Sequence, residues 1–476
     1  MKGFLNLFRV AEIRSKILIT VSLLAAYRIG FHVPIPGVNY AKLQEFMQQD
    51  GGGVGFAFGI MNALSGGALG SAQLFTLGVM PYISASIIFS LLVKVVPQLE
   101  ALSKEGQAGQ KIINRWTRYA TVPICIVQAL FLVIGPLKDA ARAEVVDPGL
   151  VGSFSYTLFV ILTLTTGTMI IMWIGEQITE YGIGNGVSLI IMAGILAQMP
   201  SMMAQLSIAT EEIEFLQTIA TLIVLYLLIV LGIVFVTKGQ RRIPIQQGRQ
   251  TRGRRVYGGQ RHYLPLKVNQ AGVMPIIFAS FLFVVPTALD SVFGTTFFQS
   301  AFAWGGFWYT LIYSALIMVF SFFWTSLMFQ PKEIADNLKE YGGFVPGLRP
   351  GARTAEFLEQ VMFRVTLAGA TFLVVIAVMP QILSRNVPNM NAGLATFLGG
   401  TSVLIVVGVL LDLIDKVNSM LVMRRYDGLG GGNAGWAQKK GGGGGGGGSA
   451  PARKRGGASW ADSSSDSKKL PDGAAS

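Results

Sequence analysis

The sequence predicts an all-α polytopic membrane protein with ten transmembrane helices. Three observations carry that prediction. Of 476 residues, 51% are hydrophobic and only 13% charged, where a soluble domain carries about 25% charged residues. The mean hydropathy is +0.53. The apolar residues fall in runs close to the ~20 residues that a helix needs to cross a hydrocarbon core, and short segments rich in Gly, Pro and charge separate them.

The ten runs lie near 17–33, 73–95, 118–137, 153–174, 184–203, 215–237, 271–289, 308–329, 362–383 and 396–420. The first, "KILITVSLLAAYRIG", has the basic front, apolar middle and small residues of a secretory signal peptide. An uncleaved first span is the better reading, because apolar character resumes after Arg28 and ends in the Pro-bracketed turn "VPIPG". Cleavage there would also leave an odd number of spans. Before the second run stands an apolar stretch too short to span, loosened by Gly66, Gly67 and Gly70. It reads as a half-helix leading into a full one.

Charge orients the bundle. With the N-terminus inside, 33 of the 38 Lys and Arg fall in 1–16, 94–118, 174–183, 238–270, 331–364 and 416–476. Lys and Arg concentrate in cytoplasmic segments, so both termini are predicted cytoplasmic, with 1–16 as an amphipathic N-terminal segment. Two inside loops stand out. The loop at 238–270 carries Arg241, Arg242, Arg249, Arg252, Arg254, Arg255 and Arg261, interrupted by Val256, Tyr257 and Tyr263. That is more charge than topology needs. An arginine-rich hairpin of this kind suits RNA phosphates, an acidic protein surface or anionic lipid. The loop at 331–364 opens with "PKEIADNLKEY", a short charged helix started by Pro331. It continues in "GGFVPGLRPG", a rigid turn presenting Arg349 between Pro346 and Pro350.

Catalytic chemistry is not indicated. The single cysteine, Cys125, precludes an internal disulfide, and His32 and His262 lie far apart. No nucleophile–base set, paired carboxylate or metal spacing stands out, and no cofactor is implied. "GIGNG" at 182–186 lacks the preceding strand of a phosphate loop and reads as the entry to the fifth span. Span interiors are nearly free of charge; Arg28 lies toward the outer part of the first and Asp412 and Asp415 near the inner end of the last. That argues against the alternative, an ion-coupled secondary transporter, which keeps ionisable groups at mid-membrane. Small residues such as Gly78, Ser84, Ser86, Gly186 and Ser188 instead allow close helix packing.

The chain resembles the SecY family, central subunits of bacterial protein-translocation channels. The resemblance rests on "YRIGFHVPIPG" at 27–37, "SGGALG" at 65–70, "LGVMPYISASIIF" at 77–89 and "TGTMIIMWIGEQITEYGIGNGVSLII" at 166–191. It continues in "GRRVYGGQRHYLPLKVNQAGVMPIIFAS" at 253–280, "ADNLKEYGGFVPGLRPG" at 335–351 and "LGGTSVLIVVGVLLD" at 398–412. It implies two inverted halves, one over 17–203 and the other over 204–428, although no symmetry is visible in the sequence. It implies a re-entrant plug over 58–71, including Ser65, Gly66, Gly67, Ala68 and Leu69. A pore ring of Val79, Ile83, Val187, Ile191, Ile277 and Ile405 follows from the same resemblance, with Val at 79 and 187 where Ile is common in the family. Composition alone would make these six ordinary core. The second and seventh spans are expected to part as a lateral gate. Arg254, Arg255 and Arg349 match basic residues that dock the ribosome or the SecA motor. SecE and SecG subunits, signal peptides, nascent chains and membrane lipid are the other implied partners, in a bacterial inner (plasma) membrane. The chain departs from the family after "LVMRRYDG": residues 429–476 form a low-complexity tail with a run of eight Gly, expected to be disordered.

Overall fold

The computed structural model describes residues 11–37, 73–134, 153–209, 212–247, 250–252, 255–257, 261–280, 282, 286, 306–386 and 392–438. The segment 58–71 expected to form the half-helix, with all five candidate plug residues, lies outside them. Helix α1 spans Ala11–Ile29 and runs into a single 3-10 turn. α2 is Met80–Val95, α3 Pro97–Lys104, α4 Gln107–Ile134, α5 Phe154–Tyr181, α6 Gly186–Ala209 and α7 Glu212–Lys238. Strands β1 (Gln240–Gln247), β2 (Gln250–Arg252), β3 (Arg255–Tyr257) and β4 (Arg261–Lys267) come next. Residues 274–280 are helical. The chain ends in α8 (Phe307–Met328), α9 (Pro331–Glu340), β5 (Gly343–Phe344), α10 (Ala352–Asn386), α11 (Ala392–Gly399) and α12 (Thr401–Gln438). It divides into two compact units, Met1–Asn418 and Ser419–Ser476.

Among the described residues, five helices are long and apolar enough to cross a membrane, or six if α2 and α3, bent by 99°, make one broken span. The other four expected runs correspond to α1, α6, the partly described 271–289 and α11–α12. Outer faces are apolar. Only 17% of the apolar window in Ile219–Lys238 is buried, and Leu231 and Phe235 on that helix are exposed. Such a surface is unfavourable in water and matched by lipid chains. Pro123, Pro200 and Pro380 lie inside helices, as spans tolerate where neighbours satisfy the freed carbonyls.

The second span starts later than hydropathy suggests. Residues 73–79 are mainly turns, tied to the segment that follows α1 by a bridge between Pro34 and Gln73 and by the Leu74 N–H donating to the Val33 carbonyl at 2.9 Å. Two residues set the start. Gly78 holds φ at +55°, a left-handed conformation open chiefly to glycine. Pro81 lies in the first turn, where its missing N–H breaks no helical bond.

"GIGNG" is a tight corner between α5 and α6. The Gly186 N–H donates to Thr179 Oγ1 at 2.8 Å, and Asn185 Oδ1 accepts from the Val187 and Ser188 N–H groups at 3.1 and 3.4 Å. Asparagine thus caps α6. A side chain at 186 would place its Cβ 1.9 Å from the Gly175 carbonyl oxygen. The corner also reaches α1, through the Ile183 N–H and Thr20 Oγ1 at 3.2 Å.

The apolar core comes in clusters with a clear division of origin. One joins Ile35, Leu77, Cys125, Ala129, Val133, Val160 and Leu164, all from the first half of the chain. Another joins residues from Ile229 to Val407, all from the second. That second core carries its own polar ties: Ser280 and Tyr313 hydroxyls at 2.9 Å, and Thr310 Oγ1 donating to Gln381 Oε1 at 2.6 Å. The largest cluster draws on both halves.

The two basic loops share a three-stranded sheet of order β4-β1-β5, while β2 and β3 pair as a separate hairpin. β1 pairs antiparallel with β4 from Gln240↔Lys267 to Gln246↔Arg261, which makes the expected hairpin. Its far end pairs with β5 of the second loop, at Gln246↔Phe344 and Gln247↔Gly343. The all-α expectation did not include this sheet. An apolar underside of Ile243, Leu266, Phe329, Val345, Leu358, Val361 and Met362 fixes it to the end of α8 and the start of α10.

Candidate functional site

The six candidate ring residues come from four separate segments. Val79 caps α2 and Ile83 lies one turn on, its N–H donating to the Val79 carbonyl at 3.0 Å. Val187 and Ile191 have the same four-residue spacing in the first turns of α6, so each pair shares a helix face. Ile277 lies in the helical segment 274–280 and Ile405 in α12. All six belong to the cluster that draws on both halves, Val187 half-buried at its margin. The other five are at most 7% exposed.

Aromatic groups that sequence reasoning did not single out belong to the same cluster. Tyr27 and Phe75 stack at 5.8 Å, and Phe31 meets both edge-on at 4.9 and 5.8 Å. Gly30 lets Phe75 approach, since a Cβ there would fall 1.9 Å from its ring. The four-residue spacing of Tyr27 and Phe31 around a glycine was the available signal. Phe278 packs on Phe320 and Trp324, with ring centroids 5.1 and 6.0 Å apart. These contacts hold the Ile277 segment against α8.

The docking candidates separate. Arg349 is exposed on the turn after β5. Gly347 and Gly351 at φ +87° and +105° shape that turn. It is pinned to α10, where Thr354 Oγ1 donates to the Arg349 carbonyl at 2.9 Å and the Thr354 N–H donates to the Gly351 carbonyl at 2.9 Å. Arg349 is therefore presented by a rigid corner. Arg255 opens β3, paired with Arg252. Arg254 lies outside the described residues.

A mainly helical chain with several lipid-matched spans and a buried apolar cluster drawn from both halves is a multi-pass membrane protein. The SecY family model matches residues 73–414, and the chain belongs to that family. A Protein translocase subunit SecY of Thermotoga maritima is 40% identical over 429 residues, covering 90% of this chain and 97% of its own length. One of the same name from Streptomyces coelicolor is 41% identical over 448 residues, covering 90% and 99%. The fold matches a solved protein-conducting channel with TM-score 0.54 at 17% identity, over 85% of this chain and 92% of that one. It also matches Sec61 in the canine ribosome–channel complex of the endoplasmic reticulum, with TM-score 0.51 at 16% identity over 85% and 92%.

Proposed function

We propose that this chain forms a protein-conducting channel, passing unfolded polypeptides across the membrane through the seam between its halves. The observation that carries this reading is the convergence of aliphatic side chains from four segments into one buried cluster drawn from both halves of the chain. A dry aliphatic constriction blocks ions by dewetting, yet yields to a chain because no strong bond must break. None of the six side chains offers an atom to bind an ion, which disfavours a transporter. The translocase name shared by relatives supports the same reading.

In this proposal residues 58–71 plug the outer funnel, and the second and seventh spans part to release signal peptides and transmembrane helices into lipid. The sheet and the Arg349 corner receive the ribosome or SecA, which supply the energy. SecE braces the two halves, with SecG alongside, in a bacterial plasma membrane, with both chain termini cytoplasmic. The test is translocation by the full chain, reconstituted in vesicles with those subunits and SecA. A signal-bearing unfolded polypeptide should become protease-protected, and deleting 58–71 should raise ion leak and admit weaker signals. A correctly inserted chain that protects no substrate would overturn the proposal.

A further inference from the structure

The inner cluster is not the only place where the two halves meet. Lys94 stands in the last turn of α2. Gln330 is the residue before α9, and Glu333 lies in the first turn of that helix. An ammonium only donates and a carboxylate only accepts, so the Gln330 amide has one workable orientation. Its oxygen accepts from Lys94 Nζ at 2.5 Å, and its nitrogen donates to Glu333 Oε1 and Oε2 at 2.5 and 2.6 Å. Next to this chain, Lys104 and Glu100 of α3 pair at 2.9 Å. Lys104 also feels the Glu333 charge, and Glu100 that of Lys94.

The arrangement is complementary at two levels. The C-terminal end of a helix carries partial negative charge and the N-terminal end partial positive charge. Here the end of α2 bears a cation, the start of α9 bears an anion, and a neutral amide joins them. One side is firmly held, because Phe329, next to Gln330, is buried in the underside of the sheet. The other side belongs to α2, whose Val79 and Ile83 sit in the seam cluster.

We propose that Lys94, Gln330 and Glu333 form a polar clasp that holds the end of α2 to the α8–α9 junction and biases the seam toward its closed state. The proposal rests on the channel reading above. Lys94 and Glu333 are exposed and Gln330 half-buried, so substitutions there leave the cores intact. An exposed charge pair contributes little, so the clasp is a weak bias: each break raises the open fraction, and with it resting leak, by about two- to fivefold.

The experiment measures resting ion leak from vesicles holding the full chain. Lys94→Glu, Glu333→Lys and Gln330→Ala should each raise leak, and the charge-swapped double variant Lys94→Glu/Glu333→Lys should return toward the parent. Thermal unfolding of all four should match the parent. Single variants that leak like the parent, or a double variant that leaks as much as the singles combined, would overturn the clasp. Ile405→Asp runs alongside as a channel control. If it leaks while the clasp variants do not, the clasp fails and the channel stands; if it does not leak either, both readings fall.

Discussion

The seam cluster gathers side chains from both halves of the chain and holds five ring residues at 7% exposure or less, whereas the basic sheet gathers two neighbouring loops and leaves Arg349 exposed. In the seam the ring side chains are all aliphatic, and they come from segments distant in sequence. In the sheet Arg241, Arg242 and Lys267 are exposed, and an apolar underside is packed. A substitution at the seam therefore acts through polarity and volume, and is felt across the molecule. A substitution on the sheet acts through charge, and is felt by whatever approaches it.

The largest effect should come from placing charge in the seam. A carboxylate there retains water, and its desolvation costs on the order of several kcal/mol if the seam still closes. Ile191→Asp and Ile405→Asp should therefore leak strongly. Ile191→Ala and Ile405→Ala remove volume without adding charge, a loss of about 2–5 kcal/mol at a packed core site, and should leak less. The two positions should behave alike, since both are buried in the same cluster. Ile223→Ala is the control, because that side chain is 55% exposed on the lipid-facing part of α7. Single-channel currents decide the order. Equal leak from Asp and Ala at either position would make these residues ordinary packing and locate the barrier elsewhere.

Next comes the corner that seats Val187. Gly186→Ala drives its Cβ into the Gly175 carbonyl, a backbone atom that cannot swing aside. Overpacking of this kind costs about 1–3 kcal/mol, read as a lower unfolding temperature in detergent. Gly408→Ala in α12 meets nothing within 4 Å and should hold or slightly raise that temperature, as alanine is favoured over glycine in a helix by about 0.5–1 kcal/mol. If both alanines behave alike, the α5–α6 corner is looser than its geometry implies.

Several of these differences could be read in the sequence and others could not. Most spans were legible, because a membrane forces apolar residues into runs of fixed length. Residues 73–79 were misassigned to a span: their hydropathy matched one, while Gly78 and Pro81 set the helix start by backbone geometry that hydropathy does not measure. The rigid Arg349 turn was legible from its Gly and Pro, residues that act locally. The β1–β5 pairing was not, since it rests on two residue pairs nearly a hundred positions apart. Nor was the Gln330 bridge, whose partner Lys94 lies in the other half. The ring residues were singled out only by family resemblance, because an aliphatic residue has the same local signature in a seam as in any core.

The sheet should show smaller effects, and the first separates rigidity from charge. Thr354→Val removes the hydroxyl that holds the Arg349 carbonyl. Losing one such bond costs about 0.5–1.5 kcal/mol. The corner should loosen, with stronger proteolysis at 346–351 and a modest loss of SecA-stimulated transport. Unchanged proteolysis would show that Gly347, Gly351 and the flanking prolines hold the turn unaided.

The smallest effect on the bundle, and the clearest contrast with the seam, belongs to Arg349→Glu. Arg349 is exposed, and the Thr354 hydroxyl holds its backbone carbonyl, which the substitution keeps. Surface changes of this sort move stability by no more than about 0.5 kcal/mol, so unfolding temperature, membrane insertion and resting leak should match the parent. Binding should not. Arginine offers a planar fork to a phosphate or carboxylate, and a glutamate there repels both. Co-sedimentation with ribosomes and SecA-stimulated transport should fall, and the deficit should shrink as added salt screens the repulsion and weakens the parent as well. Reversal at Arg255, on the neighbouring hairpin, should add to the loss without altering leak. If Arg349→Glu instead leaks while binding normally, the corner braces the bundle rather than receiving a partner, and the division between a seam that seals and a sheet that docks fails.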